Sequence, residues 1–153
     1  MCTPMRTTAM TRESAVAMVW VMCVDPVLRG IDYTLGDGND VTQSLTYVEK
    51  AAPLWFWGLV FLTAGCFVVS GLAMKVYEPV IVGAVLSFAV YLTMAAGFVQ
   101  MVWSRGWPPD GFRTPVMFAA FGVLWGIVAL EMYAGRSVQK DAGSGDAGTG
   151  GTV

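Results

Sequence analysis

At 153 residues, with 56% apolar and only 13% charged side chains, the chain lacks the polar surface that an average soluble domain, about 25% charged, turns to water. A net charge of −2 and nine scattered Lys and Arg leave no basic field for nucleic acid. His is absent and Cys2, Cys23 and Cys66 lie far apart, so the commonest general base is missing and neither a zinc site nor a disulfide framework is indicated.

The N-terminal polar or amphipathic region, residues 1–43, holds one ambiguous apolar stretch, AVAMVWVMCV at 15–24. As a helix it reaches about 15 Å, half of a hydrocarbon layer, and Asp25-Pro26 then reads as a helix stop. It is therefore too short to span. Three readings remain open: a surface-docked amphipathic element, an uncleaved signal-like anchor behind Arg6 and Arg12, or residues ahead of a later start at Met10, Met18 or Met22. Asp32, Asp37 and Asp40 then suggest a calcium loop, but Gly38 and Gln43 stand where an EF-hand ending at Glu49 requires Asp and Gly, so a solvated turn is expected.

Residues 44–135 read as a transmembrane bundle. In SLTYVEKAA, Leu45, Val48 and Ala52 share a helical face, and Thr46 with Glu49 has the form of a capping box. This segment is either a short interfacial helix or the early start of the first span, kinked at Pro53. Three charge-poor runs, about 54–74, 80–103 and 116–134, are long enough to cross a bilayer, with Pro53, Pro79 and Pro115 at their entrances, where a missing N–H costs nothing. Short connections make them antiparallel neighbours, and the expected fold is an all-α, up-down-up bundle of three membrane helices. Residues 136–153 lose aromatics and gain Gly, Ser and Thr, the composition of a disordered tail.

Trp55 and Trp57 open the first span while Trp103 and Trp107 close the second, so an antiparallel hairpin sets all four at one membrane surface as interface anchors. Lys50, Arg105 and Arg113 share that surface and Lys75, Arg136 and Lys140 the other. Adding Arg6, Arg12 and Arg29 to the first group favours an N-terminus inside and a C-terminus outside.

Small residues mark the helix-packing faces: Ala119, Gly122, Gly126 and Ala129 on the third span, and Ala89, Thr93 and Gly97 on the second. They serve packing within one chain, or a homo-oligomer through the Gly122/Gly126 stripe. Polar residues within the spans are Thr63, Ser70, Ser87, Tyr91, Thr93 and Gln100, with Glu131 at an interface; Trp125 is expected against a neighbouring helix and Cys66 as a small buried hydrophobe. No charge is expected near a midplane, which argues against a transporter or selective channel. No catalytic constellation, phosphate loop, cofactor site or metal cluster can be assembled, and the lipid bilayer is the one partner that composition requires.

The stretch LRGIDYTLGDGNDVTQSLTYVEKAAPLWFWGLVFLTAG resembles small polytopic membrane proteins of actinobacterial phages, through its Arg-Gly-Ile-Asp-Tyr start, Val-Glu pair and Pro-Leu-Trp at the first span; the likeness extends loosely over residues 28–135. The resemblance implies a non-enzymatic protein of the host's cytoplasmic membrane, a holin-like lesion former that associates laterally. The rival role is an accessory scaffold or superinfection-exclusion protein that binds another membrane protein.

Overall fold

The structure, a computed structural model, describes residues 12–35, 52–104 and 111–145. Within them the chain forms α1 (Arg12–Leu35), α2 (Leu54–Met74), α3 (Tyr77–Ser104) and α4 (Arg113–Gly145). Four segments, Glu13–Leu35, Leu54–Met74, Tyr77–Ser104 and Arg113–Ser137, are long and apolar enough to cross a membrane, which corrects the expected three. A helix suits that solvent because it satisfies its own backbone where no water can.

The additional helix long and apolar enough to cross is α1. Pro26 lies inside the helix and is buried, and the chain continues past Asp25-Pro26 to Leu35. A proline removes one backbone bond and strains the preceding turn, which ends a helix in water more readily than one packed in apolar surroundings. Residues 15–24 are thus the first half of a 24-residue helix about 36 Å long.

The first expected run coincides with α2, whose N-cap is Pro53 in an extended conformation. At its other end Lys75 is left-handed (φ 57°); its N–H bonds to Leu72 O at 3.3 Å, and Val76 N–H to Gly71 O at 2.9 Å. Only Lys75 and Val76 separate α2 from α3. The other two helices begin earlier than expected: Pro79 and Pro115 are each the third residue of their helix, within the first turn, where no intrahelical N–H is lost. Helix α4 runs on through residues 136–145, so the segment expected as tail is helical up to Gly145. The rest of that tail, the capping box at Thr46 and Glu49, the Asp37 and Asp40 turn and Trp107 lie outside the described residues.

Successive helices pack in chain order, α1 on α2, α2 on α3 and α3 on α4. Close approaches fix an antiparallel register: Gly30 and Gly65 of α1 and α2 meet Leu62 and Val27, Gly71 of α2 meets Val80 of α3, and Gly122 and Gly126 of α4 meet Leu92 and Phe88 of α3. Gly83 is seated so closely that a methyl group there would lie 2.7 Å from the Ala64 carbonyl oxygen and 2.8 Å from the Val68 nitrogen. Backbones that approach this far gain dispersion contacts that lipid cannot match. Four antiparallel helices place residues 12 and 145 at the same end of the bundle, where the expected three would set the chain's two ends apart.

Candidate functional site

Asp25 sits midway along α1 and Tyr91 midway along α3, so both fall at mid-height of the bundle. The helical spacing of four residues lets Arg29 fold back along α1, and its Nε donates to Asp25 Oδ2 at 2.8 Å. The Tyr91 hydroxyl donates to the same oxygen from α3, 66 residues away. From the other side, the Arg29 guanidinium lies 4.5 Å from the centroid of the Phe118 ring on α4. One ion pair thereby touches three helices.

Aromatic rings enclose this group. Tyr91 packs edge-on to Phe61 at 5.1 Å and stacks on Phe121 at 5.8 Å, while Phe118 tilts between Tyr91 at 5.8 Å and Phe98 at 5.1 Å. Tyr33 closes the far side of Phe61 at 6.0 Å. A charge without a partner at this depth is expensive, and each element here offsets it: the carboxylate receives two donors, and the cation gains an aromatic face worth about 2 kcal/mol when desolvated. The cluster is neutral overall. The three expected spans still carry no charge near their middles; the charged pair lies on α1, which was not expected to cross because its apolar stretch is short and Asp25-Pro26 reads as a stop.

Two more polar groups face inward. Ser87 and Trp125 are fully buried, and neither Ser87 Oγ nor Trp125 Nε1 has a hydrogen-bond partner. A buried donor left this way costs about 1–3 kcal/mol. Among the described residues no three His, Cys, Asp or Glu come together to hold a metal ion.

Compared with known protein families, curated proteins and solved structures, the chain matches none. Its reading therefore rests on its own geometry.

The expected packing residues divide between two surfaces. On α4, Gly122 is buried beneath Leu92 and Tyr91, Gly126 meets Phe88, Ala129 is buried and Ala119 is half-buried. On α3, Ala89 and Thr93 face outward and Gly97 is half-buried, with Ala96 and Gln100 exposed beside them. The Thr93 hydroxyl donates to Ala89 O at 2.8 Å, which lets that face sit in an apolar medium.

Trp55 and Trp103 are exposed at the end of the bundle shared by the start of α2 and the finish of α3; Trp57 is half-buried there, and its Nε1 donates to Ala52 O at 3.2 Å. Cys66, expected to be buried, is exposed on α2, in a shallow apolar groove with Leu59, Leu62, Thr63, Phe67 and Ser70. A bilayer accepts a small apolar side chain as readily as a core does, so hydrophobicity alone does not distinguish the two faces. The polar cluster had one local signal, the four-residue spacing of Asp25 and Arg29. The Asp-Pro pair beside it masked that signal.

Proposed function

We propose that the protein works inside a bacterial cytoplasmic membrane, without chemistry of its own, by associating laterally with copies of itself and opening the membrane in the manner of a holin. The observation that carries this reading is the outward face of α3. That helix already packs against α2 and α4, yet it turns Ala89, Thr93 and Ala96 away from both. Small residues on a lipid-facing strip give acyl chains little to pack on and give a second helix close access. The small face of α4 is occupied by α3 of the same chain, which leaves the α3 strip for contact between copies.

If the four described helices all cross, their even number sets the orientation. Arg6, Arg12, Lys75, Arg136 and Lys140 fall to the side of the termini, and Lys50, Arg105 and Arg113 to the opposite side, five against three. The positive-inside rule then sets both termini in the cytoplasm.

Disulfide crosslinking in membranes tests the association. With cysteine introduced at Ala96 as the only thiol, crosslinked dimer should form, and Ala89→Leu with Thr93→Leu should reduce it several-fold while insertion is retained. Dye leakage from the same cells reads the lesion. An Ala96 cysteine that never crosslinks to its own kind defeats the proposal; one that crosslinks only to a different membrane protein makes the chain an accessory scaffold or exclusion factor.

A further inference from the structure

The described outer surface of the bundle is apolar, with Val21, Val24, Leu28 and Ile31 on α1 and Val123, Ile127 and Leu130 on α4 among its exposed residues. Mid-depth Thr63 and Thr93 face outward with their hydroxyls donated to their own helices, whereas five other polar side chains point inward: Asp25 and Arg29 from α1, Ser87 and Tyr91 from α3, Trp125 from α4. A protein that opens a membrane needs a surface that water can wet. Here that surface is hidden inside.

Val19, Met22 and Cys23 of α1 pack into the shared apolar core, and two contacts of its polar residues reach across to α3 and α4. Neighbouring helices pack in chain order as a row, and the row is closed into a bundle where α1 reaches α3 through Asp25 and Tyr91, and α4 through Arg29 over Phe118. This closure is not sealed, since the side chains of Asp25 and Arg29 remain 30% and 22% exposed. Two fully buried donors, Ser87 Oγ and Trp125 Nε1, stay without partners in the closed bundle, so admitting water would satisfy them.

Resting on the self-association proposed above, we infer that the seam between α1 and α4 is a gate. The Tyr91–Asp25 bond and the Arg29–Phe118 contact hold it shut. In the associated state these ties part, and Asp25, Arg29, Ser87, Tyr91 and Trp125 turn to water and line the opening. No covalent step is involved; each broken protein contact is replaced by one to water.

The test uses the full chain reconstituted into vesicles loaded with a self-quenched dye, with crosslinking and dye release measured on the same samples. Tyr91→Phe removes the hydroxyl that holds Asp25 and keeps the ring in its aromatic nest. It should release dye several-fold faster than the parent at the same crosslinked fraction. Asp25→Leu combined with Arg29→Leu removes the charges together, leaving none uncompensated; crosslinking should be unchanged and release should fall about tenfold or more.

A third measurement follows buried Cys23 as the only thiol, after Cys2→Ser and Cys66→Ser. Its labelling by a water-soluble maleimide should rise in step with dye release, and rise earlier in Tyr91→Phe. If both sets of variants associate and release dye like the parent, or if Cys23 stays protected while dye escapes, the gate is wrong and self-association stands. If the parent itself neither crosslinks nor leaks, the functional reading fails and the gate falls with it.

Discussion

Gly30 of α1 and Gly58 of α2 face each other so closely that a methyl group on either would lie 3.0 Å from the other's carbonyl oxygen. Thr34 completes the contact by donating its hydroxyl to Gly30 O at 2.6 Å. The first two helices therefore meet backbone to backbone, and the contact tolerates no added side chain without moving them apart.

Gly30→Val and Gly58→Val should each destabilise the bundle by about 1–3 kcal/mol, the usual cost of overpacking, and the double variant should cost less than the two effects added because both disrupt one contact. Unfolding in mixed micelles followed by circular dichroism would measure this. Single variants indistinguishable from the parent would mean that α1 and α2 are not in contact here.

A fourfold crossing makes a topological prediction. Cysteines placed after residues 40 and 108 should be labelled from one side of the membrane, and those at residues 76 and 150 from the other, the cytoplasmic side. A further cysteine at residue 5 should be labelled together with 76 and 150; labelling of 5 and 40 from the same side would remove α1 from the list of crossings.

Lys75 occupies a left-handed conformation that costs a residue with a side chain about 1 kcal/mol and costs glycine little. Lys75→Gly should accordingly stabilise the protein by about 0.5–1 kcal/mol, read as a raised thermal midpoint in detergent. A fall in the midpoint would show that the charge, not the turn, matters at this position.

Gly122→Ile should also act within a single molecule. A first side-chain carbon there would come 3.0 Å from the tip of Leu92, which can yield slightly, but the rest of an Ile side chain overpacks the α3–α4 contact at about 1–3 kcal/mol. Stability should fall while crosslinking through Ala96 continues. Loss of crosslinking with stability intact would return the Gly122 face to the interface between copies.

By contrast, the Arg136–Glu78 pair at 2.6 Å joins the start of α3 to α4 on exposed side chains. Arg136→Ala should change stability by less than about 1 kcal/mol. A larger effect would mean that the pair is shielded by surrounding headgroups.

The bounds of α2 were legible in the sequence because its run is uncharged from Leu54 to Met74 and proline stands before it. Helix α1 was not legible. Asp25-Pro26 reads as an end when only neighbours are considered, and the groups that make it tolerable, Tyr91 and Phe118, belong to helices far along the chain. The continuation of α4 through residues 136–145 was hidden for the opposite reason, since its polar and Gly-containing composition carries no apolar period to follow. Within the spans, composition showed which residues are small but not which way they face. Gly122 and Thr93 stand on equivalent stripes, and only three-dimensional packing separates the inward one from the outward one.

The pairing of Asp25 with Arg29 inside one helix also matters in time. At a synthesis rate of roughly 5–20 residues per second, the 66 residues between Asp25 and Tyr91 take the ribosome about 3–13 s. Through that interval α1 can already lie in the bilayer while Tyr91 has not yet been made. A partner one turn away is available as soon as α1 is made, and it lets Asp25 wait, neutralised, for the hydroxyl that later captures it.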